Sequence, residues 1–194
     1  MDEIRQKSYL YFLMAVLQAT ADSKGNPQVV YPLLQANLDK LDLNLAGVLQ
    51  NWVEENLPQW ESAHAQYVVG VIVNFSNLIQ QFPQGKRGDN LEIALVGYKI
   101  VSTVFTQAAF PENWAGTQIN LGNAYLYSLK GEKADNLEMA IVCYGEALKI
   151  LTPTAFPVDW AITQNNLGEA YRNRIKGEKA DNIEMAIMAQ EFDL

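Results

Sequence analysis

Cysteine and histidine are almost absent from this chain of 194 residues, because Cys143 and His64 are its only examples. A single cysteine excludes an intrachain disulfide and any metal site built from several cysteines. The sequence also lacks a glycine-rich phosphate loop, the His–Glu spacing of metalloprotease helices and a nucleophile elbow. A Cys143–His64 dyad is the alternative, since catalytic partners meet in space. We expect no enzyme, no cofactor and no metal site.

Positive charge is also in deficit. The chain has 14 Lys and Arg against 22 Asp and Glu, a net charge of −8, which argues against nucleic-acid and anionic-membrane partners because both are polyanions. The apolar run over residues 9–17 is too short to span a bilayer. Asp2 and Glu3 stand where a signal peptide would be basic, so a buried first helix is favoured over a leader. A cytoplasmic location is expected.

One segment of the sequence occurs twice in similar form. Residues 110–125 are FPENWAGTQINLGNAY, and residues 156–171, at an offset of 46, are FPVDWAITQNNLGEAY. A fainter copy places residues 89–92 opposite 135–138 and Asn74 opposite Asn120. The offset predicts three repeats, at about 64–109, 110–155 and a truncated 156–194. Residues 1–60 lack the period, so we expect a helical N-terminal cap there and one continuous repeat domain over 61–194.

Each repeat shows the apolar spacing of two helices. In the middle repeat, Pro111 suits the first turn of a helix, and Asp135 with Glu138 resembles a capping box for the next one. The first helix is predicted to bury Trp114, Leu121, Gly122, Tyr125 and Leu129, and the second to bury Leu137, Ala140, Ile141, Tyr144, Leu148 and Leu151.

The remaining segments also favour helices. The cap is predicted to hold three, over 3–20, 27–41 and 43–57. Residues 68–73 are rich in β-branched side chains but lie in register with a helix of the other repeats, so they are assigned to a helix. The predicted fold class is all-α.

Glycine recurs in the middle of the first helices, at Gly122 and Gly168. Glycine costs about 1 kcal/mol relative to alanine in a helix interior. We therefore expect each of them to lie where the partner helix of the same repeat approaches closely.

The motif Leu121-Gly122-x-x-Tyr125, followed by Ala140, Tyr144 and Ala147, resembles a tetratricopeptide repeat. The period of 46 is longer than the usual value of about 34. The long-period form, FPxxWAxTQxNLGxAY with KGEKADNxExAI, resembles the repeats of cyanobacterial multidomain proteins that often precede a caspase-like CHAT peptidase domain. The resemblance implies a right-handed α-solenoid of helix–loop–helix pairs that binds other proteins.

Polar residues recur on one face of each first helix. In tetratricopeptide proteins, asparagines near these positions can hold the backbone of an extended peptide, because an amide both donates and accepts hydrogen bonds. The alternative is that each asparagine bonds to the adjacent repeat. The candidate partner-binding residues are Asn74, Asn77, Asn120, Asn123, Tyr127, Asn166, Glu169 and Asn173.

The preferred functional hypothesis is a protein–protein interaction module that binds a peptide or partner in a concave groove lined by the first helices. The alternative is a self-assembly module, with a possible homodimer. In the third repeat Gln190 and Asp193 replace the Tyr144- and Ala147-type residues. An apolar repeat face left open there is expected to find a partner.

Overall fold

A computed structural model describes residues 2–190 of the chain, so Asp193 lies outside the described residues. The described part is all-α, as predicted. Its helices pack as sequential antiparallel pairs. The nine α-helices of this part are α1 (Glu3–Asp22), α2 (Pro27–Gln35), α3 (Leu43–Asn56), α4 (Ser62–Gln81), α5 (Arg87–Val104), α6 (Pro111–Leu126), α7 (Lys133–Leu148), α8 (Pro157–Asn173) and α9 (Lys179–Gln190).

The chain divides into two compact units, Met1–Val104 and Phe105–Leu194. The first unit holds α1–α5, and its fully buried side chains include Leu13, Leu45, Phe75 and Tyr98. In the second unit, α6–α9, the first and second helices of successive repeats meet. Phe156 and Trp160 pack against Leu151 and Ala147, so the aromatic residues of the repeat motif join one repeat to the next.

The predicted N-terminal helices are present, with one correction. The helix expected over 27–41 ends at Gln35, and residues 38–40 form a separate 3-10 turn. Pro32 lies inside α2 and has no backbone N–H to donate. The Asn37 side chain then donates to the Leu33 carbonyl at 3.0 Å, which satisfies an acceptor at the end of the helix. Residues 68–73 are helical within α4, as predicted.

The loop inside each repeat is closed by an asparagine, and the predicted capping box is wrong. Helix α7 begins at Lys133, which places Asp135 inside its first turn. Asn136 reaches back instead, and its Nδ2 donates to the Lys130 carbonyl at 2.7 Å. Gly131 between them has φ 74°, a conformation that favours glycine. The same pattern recurs with Gly85 and Asn90, and with Gly177 and Asn182.

The mid-helix glycine of the middle repeat lies at a close contact, as predicted. An ideal Cβ on Gly122 would stand 2.5 Å from Cε1 of Tyr144, whose side chain is fully buried. The first repeat has Ser76 at the Gly122 position and compensates on the other helix. There Gly97 faces Ser76, and a Cβ on Gly97 would stand 2.0 Å from the serine Oγ. Leu129, in contrast, lies beyond the end of α6 and is 71% exposed, so its predicted place in the apolar stripe is wrong.

Candidate functional site

The polar faces of α6 and α8 meet in the second unit. Residues 120, 123 and 127 share one face of α6, since residues three and four apart are neighbours on a helix. The Asn166 amide of α8 donates to Asn123 Oδ1 at 3.1 Å. Tyr127 OH lies 3.3 and 3.4 Å from the two carboxylate oxygens of Glu169. The structure therefore joins four of the predicted site residues directly.

In the first and middle repeats, a tyrosine of the second helix is hydrogen-bonded to one of the candidate asparagines. Tyr144 OH donates to Asn123 Oδ1 at 2.7 Å, and Tyr98 OH makes the same 2.7 Å bond to Asn77 in the first unit. Burial raises the pKa of both tyrosine hydroxyls, which keeps them neutral donors. Asn123 and Asn77 are thus accounted for by packing within their own repeats, while Asn166 has the inter-repeat bond that the alternative interpretation expected.

The third repeat lacks this tyrosine–asparagine hydrogen bond. Glu169 takes the place of Asn123, and Gln190 takes the place of Tyr144. A depression of about 320 Å³ lies at this point, between α8 and the end of α9. Its lining is mostly polar and consists of Ile162, Asn165, Asn166, Glu169, Arg172 and Gln190.

The remaining predicted residues differ in their surroundings. Asn120 is half-buried on α6, and no hydrogen bond joins its side chain to another described residue. Asn74 lies in the first unit, where it is exposed and adjoins Gly25. Asn173 is exposed, and its Nδ2 donates to the Glu169 carbonyl one turn earlier at 2.9 Å. Neither the Asn74 nor the Asn120 side chain has a hydrogen bond to another described residue, and only Asn120 belongs to the α6–α8 face.

Sequence reasoning missed Arg172. Its guanidinium borders the depression, and no ion pair or hydrogen bond joins it to another described residue. A signal was present in the repeat, because Arg172 stands where the middle repeat has Leu126. A change from an apolar residue to a cation between otherwise similar repeats indicates that the third repeat presents a positive charge that the middle repeat lacks at this position.

An apolar cavity lies in the first unit and contains none of the predicted site residues. Its volume is about 420 Å³, and Val53 and Leu57 border it from one side while Val96 and Ile100 border it from α5. Its lining also includes the polar residues Gln50, Glu54, Lys99 and Thr103. We assign no chemistry to this cavity.

The two residues considered for catalysis, Cys143 and His64, lie in different surroundings. Cys143 is buried, with 4% of its surface exposed. The His64 ring packs against Trp60 at a centroid distance of 5.4 Å, in an edge-to-face arrangement. Over residues 2–190 no cluster of three or more His, Cys, Asp or Glu could hold a metal ion. None of the described helices combines the length and apolar character needed to cross a membrane.

Comparison with protein-family models, with curated proteins and with solved structures found no match to this chain.

Proposed function

We propose that this chain is a protein-binding module, and that the polar face of α6 and α8 receives an extended peptide segment of a partner protein. The observation that carries the proposal is the polar depression beside Glu169 and Gln190. The other two repeats fill the corresponding place with a buried tyrosine bonded to asparagine. The third repeat replaces both residues with longer or more flexible polar side chains.

The groups around this face match the chemistry of a peptide. Asn120 offers one donor and one acceptor that no described residue uses, which suits the N–H and C=O of an extended backbone. Arg172 offers a guanidinium that can bind a carboxylate in a two-pronged geometry. Ile162 is 49% exposed and supplies an apolar contact at the edge. The proposed ligand is therefore an extended segment with an acidic side chain.

We also propose that the second unit belongs to a right-handed, tetratricopeptide-like solenoid. The support is the motif shared by α6 and α8 and the antiparallel pairing of each first helix with its second helix. Adjacent first helices meeting through Asn166 and Asn123 agree with this arrangement. The relation to the long-period repeats that accompany CHAT peptidase domains remains part of the proposal.

The test is a binding measurement on a captured partner. The partner is isolated with the intact chain, its binding segment is mapped, and dissociation constants are measured by calorimetry. Loss of one amide contact costs about 0.5–1.5 kcal/mol, so Asn120→Ala should weaken binding roughly twofold to twelvefold. Arg172→Ala should weaken it by a similar or larger factor, because the lost contact is charged.

The matched control is Asn51→Ala, which removes an exposed amide from α3 in the first unit. It should leave the dissociation constant unchanged. If Asn120→Ala and Arg172→Ala also leave it unchanged while circular dichroism shows both variants folded, the partner binds elsewhere and the proposal fails.

A further inference from the structure

Helix α9 repeats the surface of α7 that another helix covers. In α7 the side chain of Leu137 is 1% exposed, and Ile141 packs into an apolar cluster. The residues at the same repeat positions in α9 are Ile183 and Ile187, which are 44% and 52% exposed. The two positions therefore stay apolar in α9, but their side chains are exposed there.

Helix α8 provides part of the cover on α7, together with Tyr125 and Leu126 of α6. Leu167 and Ala170 of α8 join the cluster formed by Ala140, Ile141 and Tyr144 of α7. This established contact shows what chemistry the α7 type of surface binds. It is a helix with a leucine and an alanine on its inner face.

Two ion pairs extend the same contact beyond the end of α8. Arg174 binds Glu138 through two bonds of 2.8 Å, and Lys176 Nζ lies 2.7 Å from Asp135 Oδ1. The hydrogen bonds from Arg174 lower the pKa of Glu138, so that carboxylate is ionised near neutral pH. The segment that covers α7 is therefore a helix with an apolar inner face, followed by a loop with two basic residues.

Helix α9 also repeats the acidic half of this arrangement. Asp181 and Glu184 stand at the repeat positions of Asp135 and Glu138. Both are exposed, and no ion pair or hydrogen bond joins either one to another described residue. Two apolar and two acidic positions thus agree between α7 and α9.

We propose that the surface formed by Asp181, Ile183, Glu184 and Ile187, here called the α9 face, docks a repeat of the same type carried by a partner protein. The docking segment is a first helix with the Leu-Gly-x-Ala-Tyr pattern followed by a loop with two basic residues. Its apolar residues cover Ile183 and Ile187, and its basic residues pair with Asp181 and Glu184. This surface is distinct from the polar face of α6 and α8.

A second copy of this chain is a poorer occupant. Within residues 2–190, the segment that fits the description is α8 with Arg174 and Lys176, and α7 already holds it through both ion pairs. At the corresponding positions after α6 the chain has Ser128 and Lys130, with one cation in place of two. A partner that presents a free repeat satisfies all four positions of the α9 face.

The probe is a fluorescein-labelled peptide with the sequence of residues 156–179, titrated with the full chain and followed by anisotropy. We expect saturable binding that the double substitution Asp181→Lys and Glu184→Lys weakens at least about tenfold, since two attractions become repulsions. A peptide carrying Arg174→Glu and Lys176→Glu should restore binding to the charge-reversed chain. The control substitution Glu112→Lys, at an exposed position of α6, should leave the titration unchanged.

An isolated helix of this length is only marginally stable, so a tethered version provides an independent measurement. Residues 1–190 are followed directly by a second copy of residues 145–190, which places another first helix in register with α9. This extended chain should melt at a higher temperature, and Ile183→Asp should remove the increase. The same substitution in the original chain should change the melting temperature much less, because Ile183 is exposed there.

Three results would overturn the proposal. One is a peptide affinity that does not respond to charge reversal of Asp181 and Glu184, which would indicate exchange with α8 on α7. Another is an extended chain whose melting temperature equals that of the original. The third is sedimentation showing a dimer of the original chain that Ile183→Asp dissociates, since the α9 face would then bind a second copy.

Discussion

Replacing Gly122 with alanine tests how closely the two helices of the middle repeat approach. The added Cβ would lie 2.5 Å from Cε1 of Tyr144 and 2.8 Å from Cδ1 and Cζ. Carbon atoms in normal contact are about 3.5–4.0 Å apart, so the ring has to move by about 1 Å. Tyr144 has no exposed surface, and its hydroxyl is bonded to Asn123 at 2.7 Å.

The expected cost follows from three contributions. Overpacking of this kind costs about 1–3 kcal/mol. Displacing the ring weakens a buried hydrogen bond that contributes about 0.5–1.5 kcal/mol. Alanine recovers about 1 kcal/mol through its higher helix propensity. The net effect of Gly122→Ala should be a loss of about 0.5–3.5 kcal/mol in the free energy of unfolding.

The assay is urea denaturation followed by circular dichroism, with Gly168→Ala as the matched variant. Gly168 occupies the same position in the third repeat, but its added Cβ would meet the side chain of Gln190, at 2.7 Å from Cγ. Gln190 is half-buried and can swing aside, so Gly168→Ala should be neutral or stabilising by up to about 1 kcal/mol. A Gly122→Ala chain as stable as the original, or more stable than Gly168→Ala, would refute the reasoning.

Other consequences can be checked on the same chain. Gly116→Ala in α6 adds a Cβ with no atom within 4 Å, so it should stabilise by about 0.5–1 kcal/mol in urea denaturation. Asn136→Ala removes the 2.7 Å bond that closes the inner loop, and the same measurement should show a loss of about 0.5–1.5 kcal/mol. The hydrogen bonds from Arg174 lower the pKa of Glu138 from 4.5, so the stability they add is complete above that pH and is lost as the pH falls through the lowered value; the urea midpoint difference between the original chain and Glu138→Gln should be largest near pH 7 and shrink towards pH 3. Burial raises the pKa of Tyr144 above 10.0, so stability should fall once the pH exceeds the pKa of tyrosine in the unfolded chain, and Tyr144→Phe should fall less steeply in a pH titration of the melting temperature.

Much of the fold could be predicted because the repeat constrains local structure in three places at once. Pro111 marks the first turn of α6, and Gly122 predicts the close approach of α7. Both inferences depend on backbone geometry: proline suits the first turn of a helix, and glycine permits close approach of a second helix. The helical assignment of residues 68–73 came from register with the other repeats, which outweighed the weaker β propensity of valine and isoleucine.

The errors in helix boundaries occurred where neighbouring backbone conformation or side-chain contacts determine where a helix begins or ends. Asp135 and Glu138 have the spacing of a capping box, but α7 begins three residues earlier, directly after the loop in which Gly131 has a positive φ, and Asn136 closes that loop. The spacing of α2 favours a longer helix, but the helix ends at Gln35, where the Asn37 side chain donates to the Leu33 carbonyl.

The candidate site was partly accessible to sequence reasoning. By spacing alone, Asn123 and Tyr127 share a face of α6, and Asn166 and Glu169 share a face of α8. The structure brings the two faces together. Spacing does not reveal that Tyr144 bonds to Asn123, because that contact depends on the depth at which α7 packs. It does not reveal the depression beside Arg172 either, since this space depends on Gln190 from a different helix.

Hydrogen–deuterium exchange of the intact chain, with and without its captured partner, tests the proposed binding face most directly. We predict that the partner slows exchange in α6 around residues 120–127 and in α8 around residues 162–173. Exchange in α1–α3 should remain unchanged. Protection confined to α1–α3, with α6 and α8 unaffected at saturating partner, would contradict the account.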